Sequence, residues 1–508
     1  MDARSRTLSG VVMQNRENKK ENLLDKLIGY SQTDYYPFHM PGHKRQSIGL
    51  PDPYTIDITE IDGFDNLNHP EEILLDLNHS YRDLYQTDEA YLMVNGSTGG
   101  NLAAIFASCK NGDGVLILRT AHKSIIHALM LKQLKVFYQI PHYENGITMG
   151  FDVDETERIL EDHPEIKLMV ITSPTYEGVL LNVNRIADVC HSHNVALIVD
   201  AAHGAHLGIT ERFPKNPIHE GADVVILSLH KMLPTMTQTA MVLYHKNPYV
   251  KKEELEESMR IFQTSSPSYV LMAGAAKCLD LLESKKEELF QNWMEQLEDF
   301  YEGVNNLGEK LGDNIEIMSP ENRDPSKIVI MSRQPEITGN DLMKVLRERY
   351  HLEMEMAQGS YTLAMTSCMD TKEGYERLKN ALLEINGMNL SEELGKEVSE
   401  KRNDFSSYEE SGEKSDRVQY KKTEVSHLPE KRFELFEILD YQWEEIPYED
   451  SLNRTVRDEV CIYPPGIPLV VPGEVMNRES LEKITYALGD GLHIDGVDKS
   501  GKIRVICE

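Results

Sequence analysis

The sequence predicts an α/β fold organised around a mainly parallel sheet, and three observations carry that prediction. Short runs rich in Val, Ile and Leu recur in the first half of the chain, at 114–118, 167–170, 195–200 and 222–227. They do not alternate with polar residues, which is the pattern of strands buried on both faces. Stretches of helical apolar spacing separate them from about Asp34 to Pro267, and βα units repeated in this way build a parallel sheet. Each run also ends in polar residues, and open α/β sheets bind ligands beyond the carboxyl ends of their strands.

Taken in order, residues 1–20 are polar and charged and read as a loosely held lead, followed by a short helix at 21–31, so that 1–33 form an N-terminal lead and arm. Residues 34–268 form the large domain with the parallel sheet. From Tyr269 to Leu311 the apolar residues Leu271, Ala275, Cys278, Leu279 and Leu282 recur on one helical face. That helix leads into a smaller α/β domain over 269–389. Residues 390–430 combine low hydrophobicity with dense mixed charge, the composition of a flexible linker. A C-terminal α+β domain fills 431–508, with Tyr463-Pro-Pro-Gly466 as a rigid loop. No internal repeat is present.

At 508 residues the chain is long enough for two or three domains and a large core. Its net charge of −31, from 53 basic and 84 acidic residues, argues against nucleic acid or an anionic membrane as partner. No apolar leader opens the chain, and no apolar run reaches membrane-spanning length. The six cysteines, at 109, 190, 278, 368, 461 and 507, form no C-x-x-C pair and no zinc spacing with histidine, so no metal is expected. Cys190 and Cys278 read as reduced core residues, and the cytoplasm is the expected compartment.

The chemistry is concentrated at the strand ends. Ala222-Asp-Val-Val-Ile-Leu-Ser-Leu-His-Lys231 delivers Lys231 to the mouth of a sheet, where burial and nearby cations lower an amine's pKa and allow it to form a Schiff base with a carbonyl compound. Pyridoxal 5'-phosphate is the obvious one. Thirty-one residues earlier Asp200 closes Val195-Ala-Leu-Ile-Val-Asp200, placed to pair with a pyridine nitrogen and keep it protonated. Tyr91-Leu-Met-Val-Asn-Gly-Ser-Thr-Gly-Gly-Asn101 is a strand, a glycine-rich turn and a helix start. Gly96, Ser97, Thr98 and Gly99 would cradle the phosphate there. No nucleotide-loop motif is present. Thr120-Ala-His122-Lys-Ser124 offers an imidazole to stack on the ring, and Ile171-Thr-Ser-Pro-Thr175 offers hydroxyls to its edge.

These residues, together with Pro37-Phe-His-Met-Pro-Gly-His-Lys44, Ser228-Leu-His-Lys231 and Tyr463-Pro-Pro-Gly-Ile-Pro-Leu-Val-Val-Pro-Gly-Glu474, resemble the bacterial ornithine/lysine/arginine decarboxylase family. The likeness is to its shorter members, which lack an N-terminal wing, and it runs from about Leu23 to Glu508 with a break near 390–430. It implies the aminotransferase fold (fold type I) and a pyridoxal phosphate-dependent carboxy-lyase of basic amino acids, with arginine favoured, then lysine, then ornithine.

By position the resemblance makes Lys231 the Schiff-base lysine, with His230 over the reacting carbon. Ser228 joins Ser97 and Thr98 on the phosphate, His122 and Ala202 cover the two ring faces, and Asp200 pairs with the ring nitrogen. His203 neighbours the substrate carboxylate. Ser265 and Ser266 would reach the phosphate of a partner subunit, implying a homodimer or larger homo-oligomer with shared sites. Asp62, Asp65 and Glu474 are candidates for the distal cation of a dibasic amino acid. Two other readings stay open: an aminotransferase or other lyase of the same fold, and a non-enzymatic pyridoxal phosphate-binding protein.

Overall fold

The computed structural model describes residues 22–305, 314–319, 321–334, 337–359, 361–388, 427–463, 467–489 and 493–507. The expected lead at 1–20, the linker at 390–426 and Pro464–Gly466 of the rigid loop lie outside them.

The central sheet has seven strands: β1 (Glu89–Met93), β2 (Gly114–Leu118), β3 (Lys135–Gln139), β4 (Ile166–Thr172), β5 (Ala196–Asp200), β6 (Val224–Leu227) and β7 (Ala240–Tyr244). Their order across the sheet is β1-β7-β6-β5-β4-β2-β3. The ladders from β3 to β6 are parallel, and β7 runs antiparallel to both of its neighbours. Strands β2, β5, β6 and β7 are buried throughout, which explains their unbroken apolar character. Successive residues serve opposite cores: Leu116, Met169 and Leu197 pack on one side of the sheet, and Val115, Leu168 and Ile198 on the other.

The helices used below are α1 (Leu23–Ser31), α2 (Ile73–Tyr85), α3 (Gly96–Ser108), α4 (Lys123–Leu131) and α5 (Tyr269–Asn305). Helix α5 is 37 residues long, and Ala275, Cys278, Leu279 and Leu282 of its expected apolar face are buried. It connects to a second, antiparallel sheet of β8 (Ile315–Ile317), β9 (Lys327–Ser332), β10 (Met356–Gln358) and β11 (Tyr361–Met365), ordered β8-β9-β11-β10. Trp293 Nε1 donates to Thr366 Oγ1 at 3.0 Å, fastening α5 to that sheet. Near the N-terminus, Tyr36–Phe38 pairs in parallel with Leu352–Met354.

Residues 427–507 include a two-stranded and a three-stranded sheet and the helix α6 (Arg478–Gly489) around a core of Val456, Val460, Ile462, Leu469, Met476 and Ile484. All six cysteines are free, and Cys507 alone among them is exposed. Among the described residues no helix is long and apolar enough to cross a membrane.

Candidate active site

The carboxyl ends of the parallel strands open into a cleft of about 570 Å³. Parallel registry brings the chemistry together, because Thr172 lies opposite Asp200 and Asp200 opposite Ile226, two residues before Ser228. Lys231 sits on the short helix Leu229–Met232 that follows β6. Gly42 supports this turn by donating its N–H to His230 O at 2.7 Å. Any Cβ on Gly42 would stand 2.7 Å from the Met232 carbonyl carbon, so the Pro-Gly-His run needs glycine for this close approach. Lys44, buried, donates to the carbonyls of His39 and Met365 at 2.8 and 2.7 Å, a structural role.

Lys231 Nζ lies 2.9 Å from His203 Nε2 and 5.7 Å from the centre of the Tyr176 ring. Burial lowers the lysine's pKa and Lys327 adds to that, while Asp200 and Glu355 oppose it. His203 is held well below its usual pKa by burial and by the same two lysines, so it is a neutral imidazole that accepts at Nε2. Its Nδ1 is buried with no partner among the described residues. His230 Nδ1 contacts Thr239 O at 3.0 Å, and burial lowers its pKa too. A carbonyl only accepts, so that nitrogen carries the proton and Nε2 keeps its lone pair.

Asp200 is buried and accepts from Asn101 Nδ2 at 2.9 Å and from Ala202 N at 3.1 Å. Asn101 also donates to Ser124 Oγ at 3.0 Å, and Ser124 Oγ lies 2.8 Å from His122 Nδ1. The Ser124 N–H donates to the same nitrogen at 3.2 Å, so Nδ1 is an acceptor. Burial lowers the His122 pKa, leaving a neutral ring with its proton on Nε2.

At the other end of the cleft, Gly96 turns the chain from β1 into α3 with φ +71°, a left-handed conformation natural to glycine. Ser228 Oγ and Ser97 Oγ are 2.8 Å apart, and Thr98 lines the same wall. The Asn95 side chain makes no cap for α3 and accepts instead from Thr264 N at 3.3 Å. The Gly96 N–H is spent on Gln238 O at 2.8 Å and the Gly99 N–H on Asn95 O at 3.4 Å, which leaves the Ser97 and Thr98 amides and the helix dipole for an anion. These hydroxyls, the carboxylate at Asp200, the flat His122 ring and the desolvated amine of Lys231 fit pyridoxal phosphate in size and in donor type.

Other expected residues fall elsewhere. Thr175 lines the cleft, but its hydroxyl is committed to Glu177 Oε2 and Val179 N, so it braces its own loop. Ser265 and Ser266 are exposed on the segment after Gln263 and do not line the cleft. The three acidic candidates for the substrate cation are corrected. Asp65 accepts from the backbone amides of Asn66, Glu71, Glu72 and Leu74 and organises the start of α2, bonds that hold its pKa low. Asp62 is exposed outside the cleft. Glu474 is buried against Arg119, with Nη2 and Oε2 2.6 Å apart.

Carboxylates in and beside the cleft were missed. Glu177 lines it and accepts from Tyr361 OH at 2.6 Å. Glu355 does not line it but holds two residues that do, accepting from Tyr176 OH at 2.9 Å and from Met40 N at 2.8 Å. Asn101 carried a readable signal, a lone amide opening the apolar run of α3. Tyr176 and Glu177 lie in the polar segment directly after β4 that also holds Thr175, so their place was readable and only their side-chain roles were not. Nothing in the local pattern of Glu355 marks it, because it reaches the site from just before β10, distant in sequence.

Comparison with known proteins follows the same lines. Residues 22–339 match the family model described as Orn/Lys/Arg decarboxylase, major domain, and 415–489 match its C-terminal domain. An arginine decarboxylase of Bacillus subtilis is 28% identical over 490 residues, covering 93% of this chain and 94% of that protein. Among solved structures, lysine decarboxylase A from Pseudomonas aeruginosa superposes with a TM-score of 0.74 at 18% identity, covering 95% of this chain and 80% of that one. SPT with its PLP internal aldimine matches at TM-score 0.50 and 16% identity, over 63% of this chain and 77% of that one.

Proposed function

Because the chain belongs to the Orn/Lys/Arg decarboxylase family, we propose that it is a pyridoxal phosphate-dependent enzyme that removes carbon dioxide from a basic amino acid, arginine before lysine and ornithine. The observation that carries this reading is the amine of Lys231, desolvated, hydrogen-bonded to a neutral His203 and sharing one cleft with Asp200 and the Ser97–Ser228 pair. Bound there, the cofactor supplies a ring that accepts the electron pair left when the carboxylate departs.

The protein's own groups do the rest. Ser97, Thr98, Ser228 and the amides that begin α3 hold the phosphate. Asp200 holds the proton of the ring nitrogen, and Asn101 and the Ala202 amide aim its two oxygens. His122 and Ala202 cover the ring faces. Lys231 is the nucleophile, and Lys231, or His230 once its Nε2 has taken up a proton, returns a proton to the α-carbon. His203, neutral and buried, lies beside the substrate carboxylate. Glu355, with Glu177 behind it, takes the distal cation in place of Asp62, Asp65 and Glu474. In this reading residues 34–268 bind the cofactor, 269–389 and 431–508 pack around them, and the enzyme works in the cytoplasm. Ser265 and Ser266 serve the phosphate of a second copy in a homodimer.

The test is purified protein with pyridoxal phosphate, offered arginine, lysine and ornithine in turn. Carbon dioxide and the matching amine are expected without any keto-acid acceptor, and borohydride should fix the cofactor to Lys231. A keto acid formed only with an acceptor would make it an aminotransferase. Release of carbon dioxide by Lys231→Ala at the wild-type rate would overturn the mechanism.

A further inference from the structure

Glu474 closes the Pro-Gly-Glu run of the C-terminal segment, and its place in the fold is more telling than a substrate contact would be. Its partner Arg119 directly follows β2 and stands three residues before His122. Both side chains are fully enclosed, at 0% and 1% exposure. Arg119 Nη2 donates to Glu474 Oε2 at 2.6 Å and to Leu469 O at 3.2 Å, and the same carboxylate oxygen accepts from Val471 N at 2.9 Å. The guanidinium lies 4.9 Å from the centre of the Tyr138 ring. On the other side of His122, Lys123 Nζ reaches Asp495 Oδ2 at 3.2 Å. The turn that carries the imidazole is thus tied to residues 427–507 both before and after it.

Removing two charges from water is costly, and an apolar pair of similar volume commonly stabilises as well or better. What an ion pair adds over an apolar one is direction, because the guanidinium must meet fixed oxygens. Here that direction is applied next to a ring that must lie flat. The grip on the neighbouring strand provides an internal comparison. Val136 of β3 donates to Glu434 Oε2 at 3.3 Å and accepts from Lys431 Nζ at 2.9 Å. The Lys431 backbone bridges Glu474, a contact that side-chain replacement leaves in place, and among the described residues neither the Lys431 nor the Glu434 side chain bonds to the His122 turn.

We propose that Arg119 and Glu474 are positioning residues for His122, through which the C-terminal segment sets the imidazole against the cofactor ring. This rests on the reading that the cleft binds pyridoxal phosphate. The decisive variant is Arg119→Met with Glu474→Met, which keeps the site filled while deleting the directed contacts. The protein is expected to stay folded, to lose about tenfold in affinity for pyridoxal phosphate, and to lose most of the visible circular dichroism of the bound cofactor. Adding His122→Ala to it should cost nothing further, the sign of a shared role.

Lys431→Met with Glu434→Met should leave affinity and dichroism at wild-type values. If the methionine pair does not yield folded protein, the near-isosteric Glu474→Gln decides, with a loss of roughly threefold expected, again absent in the His122→Ala background. Wild-type affinity and dichroism in the variant that folds, full additivity with His122→Ala, or an equal loss in the Lys431/Glu434 pair would each overturn the proposal. A wild-type protein that shows no visible band with pyridoxal phosphate would instead overturn the cofactor reading.

Discussion

His203 Nε2 and Lys231 Nζ are 2.9 Å apart, and the imidazole's other nitrogen meets no protein partner among the described residues. A neutral ring so placed accepts a hydrogen bond from the amine at Nε2 and so fixes the direction of the lysine's Nζ. The Tyr176 ring backs His203 at a centroid distance of 4.1 Å, so its plane is held from one side. Replacing His203 by Phe keeps that packing and removes the acceptor. Turnover should fall by about a hundredfold, the usual scale of a lost proton-handling group, with the fold intact by circular dichroism. A turnover number within threefold of wild type would remove His203 from the reaction.

The chain from Asp200 through Asn101 and Ser124 to His122 makes a second prediction. Asn101→Leu leaves one buried carboxylate oxygen of Asp200 without its donor, a defect of about 1–3 kcal/mol. It also frees Ser124 from one of its two partners. Affinity for pyridoxal phosphate should drop by roughly tenfold to a hundredfold, read by equilibrium titration of the visible band. An unchanged dissociation constant would show that Ala202 N alone orients the carboxylate.

How far this site was legible in the sequence follows from where its parts come from. Lys231, Asp200, His122 and the turn at 96–99 each sit one step beyond a buried strand, so strand periodicity and polar punctuation located them. The parallel order then placed them together without any long-range contact being known. Glu474, Asp62 and Asp65 misled because an acidic residue in a loop looks alike whether it caps a helix, pairs with a buried arginine or faces a ligand. Glu355 and Lys327 were out of reach: they meet the site from the second sheet, and pairing across about a hundred residues leaves no local pattern. Glu177 follows β4 by five residues, so its place was legible and only its role was hidden.

Substrate recognition gives a third prediction. Glu355 is half-buried beside the cleft, fixed by Tyr176 OH and Met40 N, and its charge favours the cationic form of Lys231. Glu355→Gln keeps both hydrogen-bonding neighbours and removes the charge. KM for arginine should rise by about tenfold, the scale of one charge-assisted hydrogen bond, with a smaller change in turnover. A KM equal to wild type would assign the distal cation to Glu177.

Acid sensitivity follows from the imidazoles. His39, His43, His122, His203, His206 and His230 are all held below the ordinary histidine value, in each case chiefly by burial. The unfolded chain binds protons that these rings refuse when folded. Their stabilising contribution is therefore complete above about pH 6.5 and is lost as the pH falls through the lower folded values. The buried carboxyls of Asp370 and Glu474, raised by burial, act in the opposite sense at the acid end and soften the loss. Urea unfolding midpoints should fall between pH 7.5 and pH 5.5. A midpoint that holds or rises would mean that these rings are charged in the folded protein.

Beneath Lys231, Lys327 and Asp324 form a wholly enclosed pair, with Nζ and Oδ2 3.0 Å apart, and Lys327 also contacts Met232 Sδ at 3.0 Å and Ser326 Oγ at 3.1 Å. His206 Nε2 approaches the other Asp324 oxygen at 3.1 Å, with no exposure on either side chain. Breaking such a pair at one end strands a charge and costs about 3–5 kcal/mol. Lys327→Met, however, leaves Asp324 with an imidazole that can take up the missing proton. Lys327 now lowers the His206 pKa and Asp324 raises it, so deleting the lysine moves that histidine upward. The variant should therefore be strongly destabilised at pH 8, where His206 stays neutral, and less so at pH 5.5, where protonation restores a partner for Asp324. Urea unfolding of variant and wild type at both pH values measures the difference. A destabilisation that is equal at the two, or larger at pH 5.5, would show that His206 does not compensate.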